Sequence, residues 1–165
     1  MKTIDNLQIG SFVSAYQHYL NGLAPSTFFE LDLMANSKIT EFEFIGCALT
    51  GLIANGSEFV NCIFRDVNLE DMYLNLTKFK GCTFSSCSFI KSQMMKTEFI
   101  TSKFENSRFF KADMGDETIN NCLFVKCDFR GARLSRYKVI ESTFVDCLGM
   151  PADISNISID RPTGP

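Results

Sequence analysis

The sequence predicts an all-β solenoid, a four-sided coil of about six to seven turns closed at its N-terminal end by a short helix. Three observations predict it: a large apolar residue at every fifth position, a small or uncharged residue two places before it, and a recurrence of side-chain type at every fourth repeat. Neither an amphipathic helix nor an ordinary strand has a period of five. The chain has 165 residues, 45% apolar and 21% charged, enough to bury roughly two-thirds of its unfolded surface without a disulfide framework.

The first element is an N-terminal segment, residues 1–26. No apolar run follows Lys2 and Asp5, so no secretory leader is expected. No eighteen consecutive apolar residues occur, so no membrane helix is expected either, and the expected compartment is the cytoplasm. Phe12, Val13, Tyr16, Tyr19, Leu20 and Leu23 recur at helical spacing. With Ser11 able to cap the start and Gly22 and Pro25 able to stop it, the spacing predicts a helix from Ser11 to Gly22 lying over the first coil.

The second element, residues 27–160, is the repeat. From Phe29 in steps of five the residues run through Phe44, Phe64, Phe84, Phe104, Phe124 and Phe144 to Ile159, and the only one that is not apolar is Gly149. Of the 17 Phe, 13 fall in this phase, against roughly one in five for random placement. Residues two apart in an extended segment point to the same side. Each repeat therefore sends one large and one small side chain inward, and its last two residues are left to turn the chain. Reading every fourth centre gives an all-Phe column from Phe44 to Phe144. Four repeats per turn follow, with turns about 4.8 Å apart, the spacing of hydrogen-bonded neighbours. Residues 161–165, with two Pro and a Gly, predict an extended or flexible tail.

Local triplets such as Ala112-Asp113-Met114, Ala132-Arg133-Leu134 and Ala152-Asp153-Ile154 make the chain resemble the pentapeptide-repeat proteins. The resemblance spans about four-fifths of the sequence and rests on a phase held without an insertion. It implies a right-handed quadrilateral β-helix. It implies no single function, because the family includes DNA-mimicking protectors of topoisomerases, secreted effectors and proteins of unknown role.

Chemistry-bearing residues are few. All seven Cys (Cys47, Cys62, Cys82, Cys87, Cys122, Cys127 and Cys147) fall in the small inward column. They are read as reduced, buried thiols, and their spacing is not that of a zinc site. The single His18 has no Ser, Cys or carboxylate set beside it by the repeat, and no Gly-rich phosphate loop is present. The expectation is a protein with no catalytic residue, no cofactor and no metal, and not an enzyme. One repeat departs from the pattern: Glu117 fills a small inward slot, and Tyr137 fills the equivalent slot one turn later. A carboxylate cannot be buried unpaired, so either the wall bulges around residues 115–118 or Glu117 meets a partner such as Tyr137.

Charge is patterned along the chain. Residues 1–75 carry a net −6, residues 76–111 a net +5, and the remainder −2. The basic waist (Lys78, Lys80, Lys91, Lys96, Lys103, Arg108 and Lys111) is spread by the repeat over all four walls, which argues against a focused nucleic-acid groove. Apolar residues also fall at outward positions. Leu123, Val125 and Val145 share the wall of the Phe column, and Phe110 lies nearby in sequence.

The expected function is a non-enzymatic interaction module, a rigid prism binding an unidentified partner protein through outward residues. Phe110, Leu123, Val125, Val145, Glu117 and Tyr137 are the candidate surface. The alternative implied by the resemblance is a DNA mimic that binds and protects a type II topoisomerase, DNA gyrase or topoisomerase IV. No direct contact with nucleic acid or membrane is expected, and the state in solution is expected to be a monomer or an end-to-end dimer.

Overall fold

The computed structural model describes residues 1–21 and 33–150. The expected boundaries at residues 26/27 and 160/161, the helix stop at Gly22 and Pro25, and the tail lie outside the described residues.

The repeat winds into a parallel β-solenoid with four walls. Short strands centred on Ile39, Phe59, Phe79, Phe99, Ile119 and Val139 pair in parallel as the first wall, and those centred on Phe44, Phe64, Phe84, Phe104, Phe124 and Phe144 form the second. Bridges such as Asn68↔Ser88 and Tyr73↔Gln93 hold the third and fourth walls. Every pairing within the repeat joins residues twenty apart, which is the register that four repeats of five predict. From Phe44 to Phe144 the described coil makes about five turns, fewer than the six to seven expected over residues 27–160. Part of that count fell on residues outside the described coil.

The core is the two inward columns. Phe44, Phe64, Phe84, Phe104, Phe124 and Phe144 stack with ring centroids 4.5–4.8 Å apart and planes within 12° of parallel. The second Phe column, Phe59, Phe79 and Phe99, meets this stack edge-on, as at Phe99 and Phe104, 5.1 Å apart at 89°. Stacked contacts along the axis and edge-to-face contacts across it are two arrangements in which aromatic quadrupoles attract. The small column closes the corners and satisfies backbone. Thr77 Oγ1 donates to the Ala54 carbonyl (2.8 Å), Thr97 Oγ1 to Leu74 (2.9 Å), and the Cys82 and Cys87 thiols to Phe59 and Phe64 (3.4 Å each). A small donor is wanted there because each reaches a carbonyl one coil back.

A third column was not anticipated. Every fifth residue from Asn36 to Asp146, two places after each centre, has positive φ. Gly, Asn and Asp hold most of these corners, at the lowest cost for a left-handed backbone. Leu76 (φ 61°) and the β-branched Thr101 (φ 47°) hold two others at a higher cost.

The N-terminal edge is covered, though not as expected. Lys2–Thr3 adds a parallel rung beside Ser37–Thr40 on the first wall. The helix then runs Asn6–Leu20, five residues ahead of the expected start at Ser11. Its cap is Asp5, whose Oδ1 accepts the Gln8 amide (2.8 Å) while Gln8 Oε1 accepts the Asp5 amide (3.2 Å), a reciprocal capping box. Ile9 and Tyr16 are buried against the coil, whereas Tyr19 and Leu20 are exposed and stand off the packed face. Gln17 completes the cover: its Nε2 donates to the Ala48 carbonyl (2.7 Å) and its Oε1 accepts the Ala48 amide (2.8 Å). The side-chain amide stands in for the missing coil, so the edge offers no open template there. The Tyr16 hydroxyl donates to the Thr50 carbonyl on the same wall.

Candidate interaction surface

With centre and slot columns committed to the core, outward positions and corners form the surface. Leu123, Val125 and Val145 come together on the second wall, where Leu123 and Val125 flank Phe124 and Val125 pairs in register with Val145. All three are half-buried. Phe110 is not with them. It projects from the third wall, 41% exposed, beneath the Lys111 ammonium at 5.3 Å from its ring centroid. Sequence reasoning did not single out three further exposed residues: Tyr73 and Met95 on the fourth wall and Leu76 on its corner, 39%, 41% and 58% exposed. The signal was legible, since Tyr73 and Met95 occupy outward positions and Leu76 a position otherwise held largely by Gly, Asn and Asp.

Glu117 is not a surface residue. It is 1% exposed, and neither carboxylate oxygen has a hydrogen-bond partner among the described residues. The expected bond to Tyr137 is therefore not made; Tyr137 packs partly buried against the core. Burial pushes the Glu117 carboxyl up to about 8; its own backbone amide opposes this, and Asp113 and Asp116 add to the rise. The side chain is held as the neutral acid at neutral pH.

The backbone corner changes at the same place. In the coils before it, the slot amide closes a tight turn onto the preceding centre, as in Ser57 to Ala54 (3.2 Å), Thr77 to Leu74 (3.1 Å) and Thr97 to Met94 (3.2 Å). That bond is not repeated from Glu117 to Met114 among the described residues. Asp113–Gly115 extends instead into a strand paired with Arg133–Ser135. A long side chain in the slot needs a wider corner than Ser or Thr does.

Ion pairs run along the walls between adjacent coils. On the first wall Glu58 receives Lys80 (2.6 Å) and Lys38 (3.8 Å), and Glu98 receives Lys78 (2.7 Å). Toward the C-terminal end Arg136 clasps Asp116 with two bonds (2.6 and 2.8 Å), Arg130 clasps Asp128 in the same way (2.9 and 2.7 Å), and Arg133 lies 3.7 Å from Asp113. The hydrogen bond from Lys80 holds the Glu58 carboxyl below its usual range, and Arg136 and Arg130 do the same for Asp116 and Asp128. These acids are already neutralised by neighbours twenty or so residues away, or by an adjacent Arg.

Six of the seven cysteines are free thiols buried in the core, whereas Cys147, expected there too, is only half-buried at the last described coil. Burial pushes Cys47 and Cys87 up to about 11, the opposite of what a nucleophilic thiolate needs. No cluster of three or more metal-ligating side chains occurs among the described residues. His18 is exposed on the helix. No described helix is long and apolar enough to cross a membrane.

Comparison with known proteins places this geometry in context. The family model for pentapeptide repeats matches residues 43–81, with eight copies. No curated protein matches the chain significantly. Among solved structures, two trypsin-treated variants of QnrB1, described as a plasmid-mediated fluoroquinolone resistance protein, superpose with TM-scores of 0.56 and 0.53 at 21% and 22% identity. The match covers 72% of this chain and 65% and 66% of theirs, so this chain spans a little under two-thirds of their length. HetL, a pentapeptide repeat protein involved in heterocyst differentiation regulation in the cyanobacterium Nostoc, matches over 72% of this chain and 60% of its own at 12% identity, with a TM-score of 0.39. At 21% and 22% identity the likeness to the QnrB1 variants is one of fold. Residues 43–81 are thus matched as pentapeptide repeats, and the described coils carry the same five-residue phase unbroken to residue 148.

Proposed function

We propose that the protein is a non-enzymatic interaction module: a rigid four-walled prism that binds a partner protein through its outward side chains. The observation that carries this reading is the division of labour within each repeat. Two of every five residues fill the core and one turns the corner, so the outward positions have no structural duty, yet they carry large exposed apolar side chains such as Phe110 and Met95. Exposed apolar area that a fold does not require is the usual mark of a protein contact. Capture of partners from cells by proximity labelling tests it. A specific partner should be recovered by the natural chain and lost with one of Phe110→Asp and Val125→Asp, which stand on different walls, while the thermal transition is unchanged. Recovery of the same background proteins by all three chains would remove the reading.

The alternative, a DNA mimic that protects a type II topoisomerase, draws support from the likeness to a fluoroquinolone resistance protein. Such a mimic needs a continuous negative surface. Here Glu58, Glu98, Asp113, Asp116 and Asp128 are each paired with a cation on the same wall or corner, and the middle of the chain is net positive. Gyrase supercoiling in the presence of a fluoroquinolone decides it. Indifference to a large excess of the protein counts against the mimic, whereas protection that weakens with salt supports it.

A further inference from the structure

The seven cations of the basic waist are not equivalent once the coil is formed. Lys78, Lys80 and Lys103 are taken by Glu98, Glu58 and Glu105. Arg108, on the third wall, and Lys91, Lys96 and Lys111 enter no ion pair among the described residues. The three lysines are positive-φ corner residues. Lys91 and Lys111 stand one coil apart on the corner between the third and fourth walls, and Lys96 stands on the corner that closes the fourth. The wall between them carries Tyr73 and Met95, with Leu76 on its edge beside Lys96 and Phe110 on the opposite border under Lys111.

Four of the six large apolar side chains exposed on the described coil are therefore gathered here; the other two are Ile45 and Leu148. Two details make the gathering more than chance exposure. Leu76 is the most exposed of the four and occupies a left-handed corner, where a β- or γ-branched apolar residue costs stability and gains no burial. The outward positions among them are Asn75 and Gln93, which are uncharged, and Asn75 Oδ1 is occupied by the Met95 amide (2.9 Å). The acids nearby are Asp71, one coil before Lys91 on the same corner, and Asp113 and Asp116, which are held by Arg133 and Arg136.

We infer that the fourth wall, with Tyr73 and Met95 at its centre and Leu76, Phe110, Lys91, Lys96 and Lys111 at its borders, docks an acidic protein segment that bears large apolar side chains. This rests on the reading of the prism as an interaction module and names its surface and the chemistry of its partner. The choice of occupant follows from complementarity. Leu76 and Met95 offer no aromatic face for base stacking. Three ammonium groups divided between two edges match scattered carboxylates better than a phosphate track. An apolar centre with a charged rim is the anatomy of a protein contact.

A display library of twelve-residue peptides, selected on the full-length protein, tests it. Enriched peptides should be net negative with at least two large apolar residues. Their affinity should fall at least about tenfold with Met95→Asp and with the double change Lys91→Glu and Lys111→Glu, fall with added salt, and be indifferent to Val125→Asp. Both sets of positions are on the surface, and an unchanged circular-dichroism melting curve confirms the fold. Neutral or basic peptides, or no enrichment, would overturn the inference. So would tight binding of a twelve-residue oligothymidine, or self-association abolished by Met95→Asp, which would assign the wall to a second copy. Partner capture lost with Val125→Asp but kept with Met95→Asp would remove this surface and leave the interaction-module reading standing.

Discussion

Replacing Glu117 by Gln changes one atom of a side chain that is 1% exposed and has no hydrogen-bond partner for either oxygen among the described residues. Burial raises the carboxyl from 4.5 to about 8 in the folded chain. Because the folded value is the higher one, the folded state keeps a proton that the unfolded state gives up. Its contribution to stability is whole below pH 4.5 and is lost as pH rises toward 8. Each pH step in that window is worth roughly 1.4 kcal/mol. At pH 7 the natural chain has therefore given up roughly 3 kcal/mol through this one group relative to pH 4, and somewhat more by pH 9. Glu117→Gln has no proton to lose, and its amide fits the same slot. The variant should match the natural chain at pH 4 and exceed it by roughly 3 kcal/mol at pH 7. Urea midpoints followed by circular dichroism from pH 4 to 9 give the difference. Amide exchange of residues 118–148 localises it, because a solenoid can open coil by coil. Parallel pH profiles for the two chains would refute the reasoning, since the buried carboxyl would then be contributing nothing.

Other outcomes follow from the same structure. Phe84→Ala empties a position ringed by Phe64, Phe79, Phe89 and Phe104 and should cost about 3 to 5 kcal/mol in chemical denaturation; a near-neutral result would mean the Phe stacks are not packed. Thr101→Gly relieves a β-branched residue at φ 47° and should raise the midpoint by about 1 kcal/mol, whereas a loss of stability would show that the corner backbone is unstrained. Gly149→Ala would drive a Cβ to 2.5 Å from the Arg130 backbone nitrogen, while at Gly46 a Cβ meets nothing within 4 Å. Proteolysis should open the last coil of the first variant and leave the second, Gly46→Asn, intact. Gln17→Ala uncovers both the amide and the carbonyl of Ala48, and light scattering should register more self-association than in the natural chain.

Much of the fold was legible from spacing alone. A period of five fixes which side chains face inward, and the fourfold recurrence of Phe from Phe44 to Phe144 fixes the number of walls, because like residues stack on like. The capping box was legible too: Asp5 and Gln8 stand three apart ahead of Ile9, but the Ser11 cap and the run to Leu23 looked stronger when the burial of Ile9 was unknown. The left-handed corners are written in the Gly, Asn and Asp of the column two places after each centre, residue types that tolerate positive φ. The candidate surface was less legible. Position in the repeat places Phe110 outward on the wall next to that of Val125, but it does not say that Phe110 is well exposed while Val125 is half-buried.

The sequence by itself determined the solenoid, its four walls and its buried columns, since these depend on periodicity, and periodicity is local. Only the tertiary structure decided which charges remain free. Glu58 and Lys80, or Asp116 and Arg136, are neighbours because twenty or so residues carry the chain once around, and Coulomb attraction depends on that distance and not on separation along the chain. The same closure buries Glu117 without a partner and leaves Lys91, Lys96 and Lys111 beside an exposed apolar wall. Charge balance read along the chain shows a basic waist; folded, that waist is in part neutralised, and the three lysines left without an ion pair among the described residues border one wall.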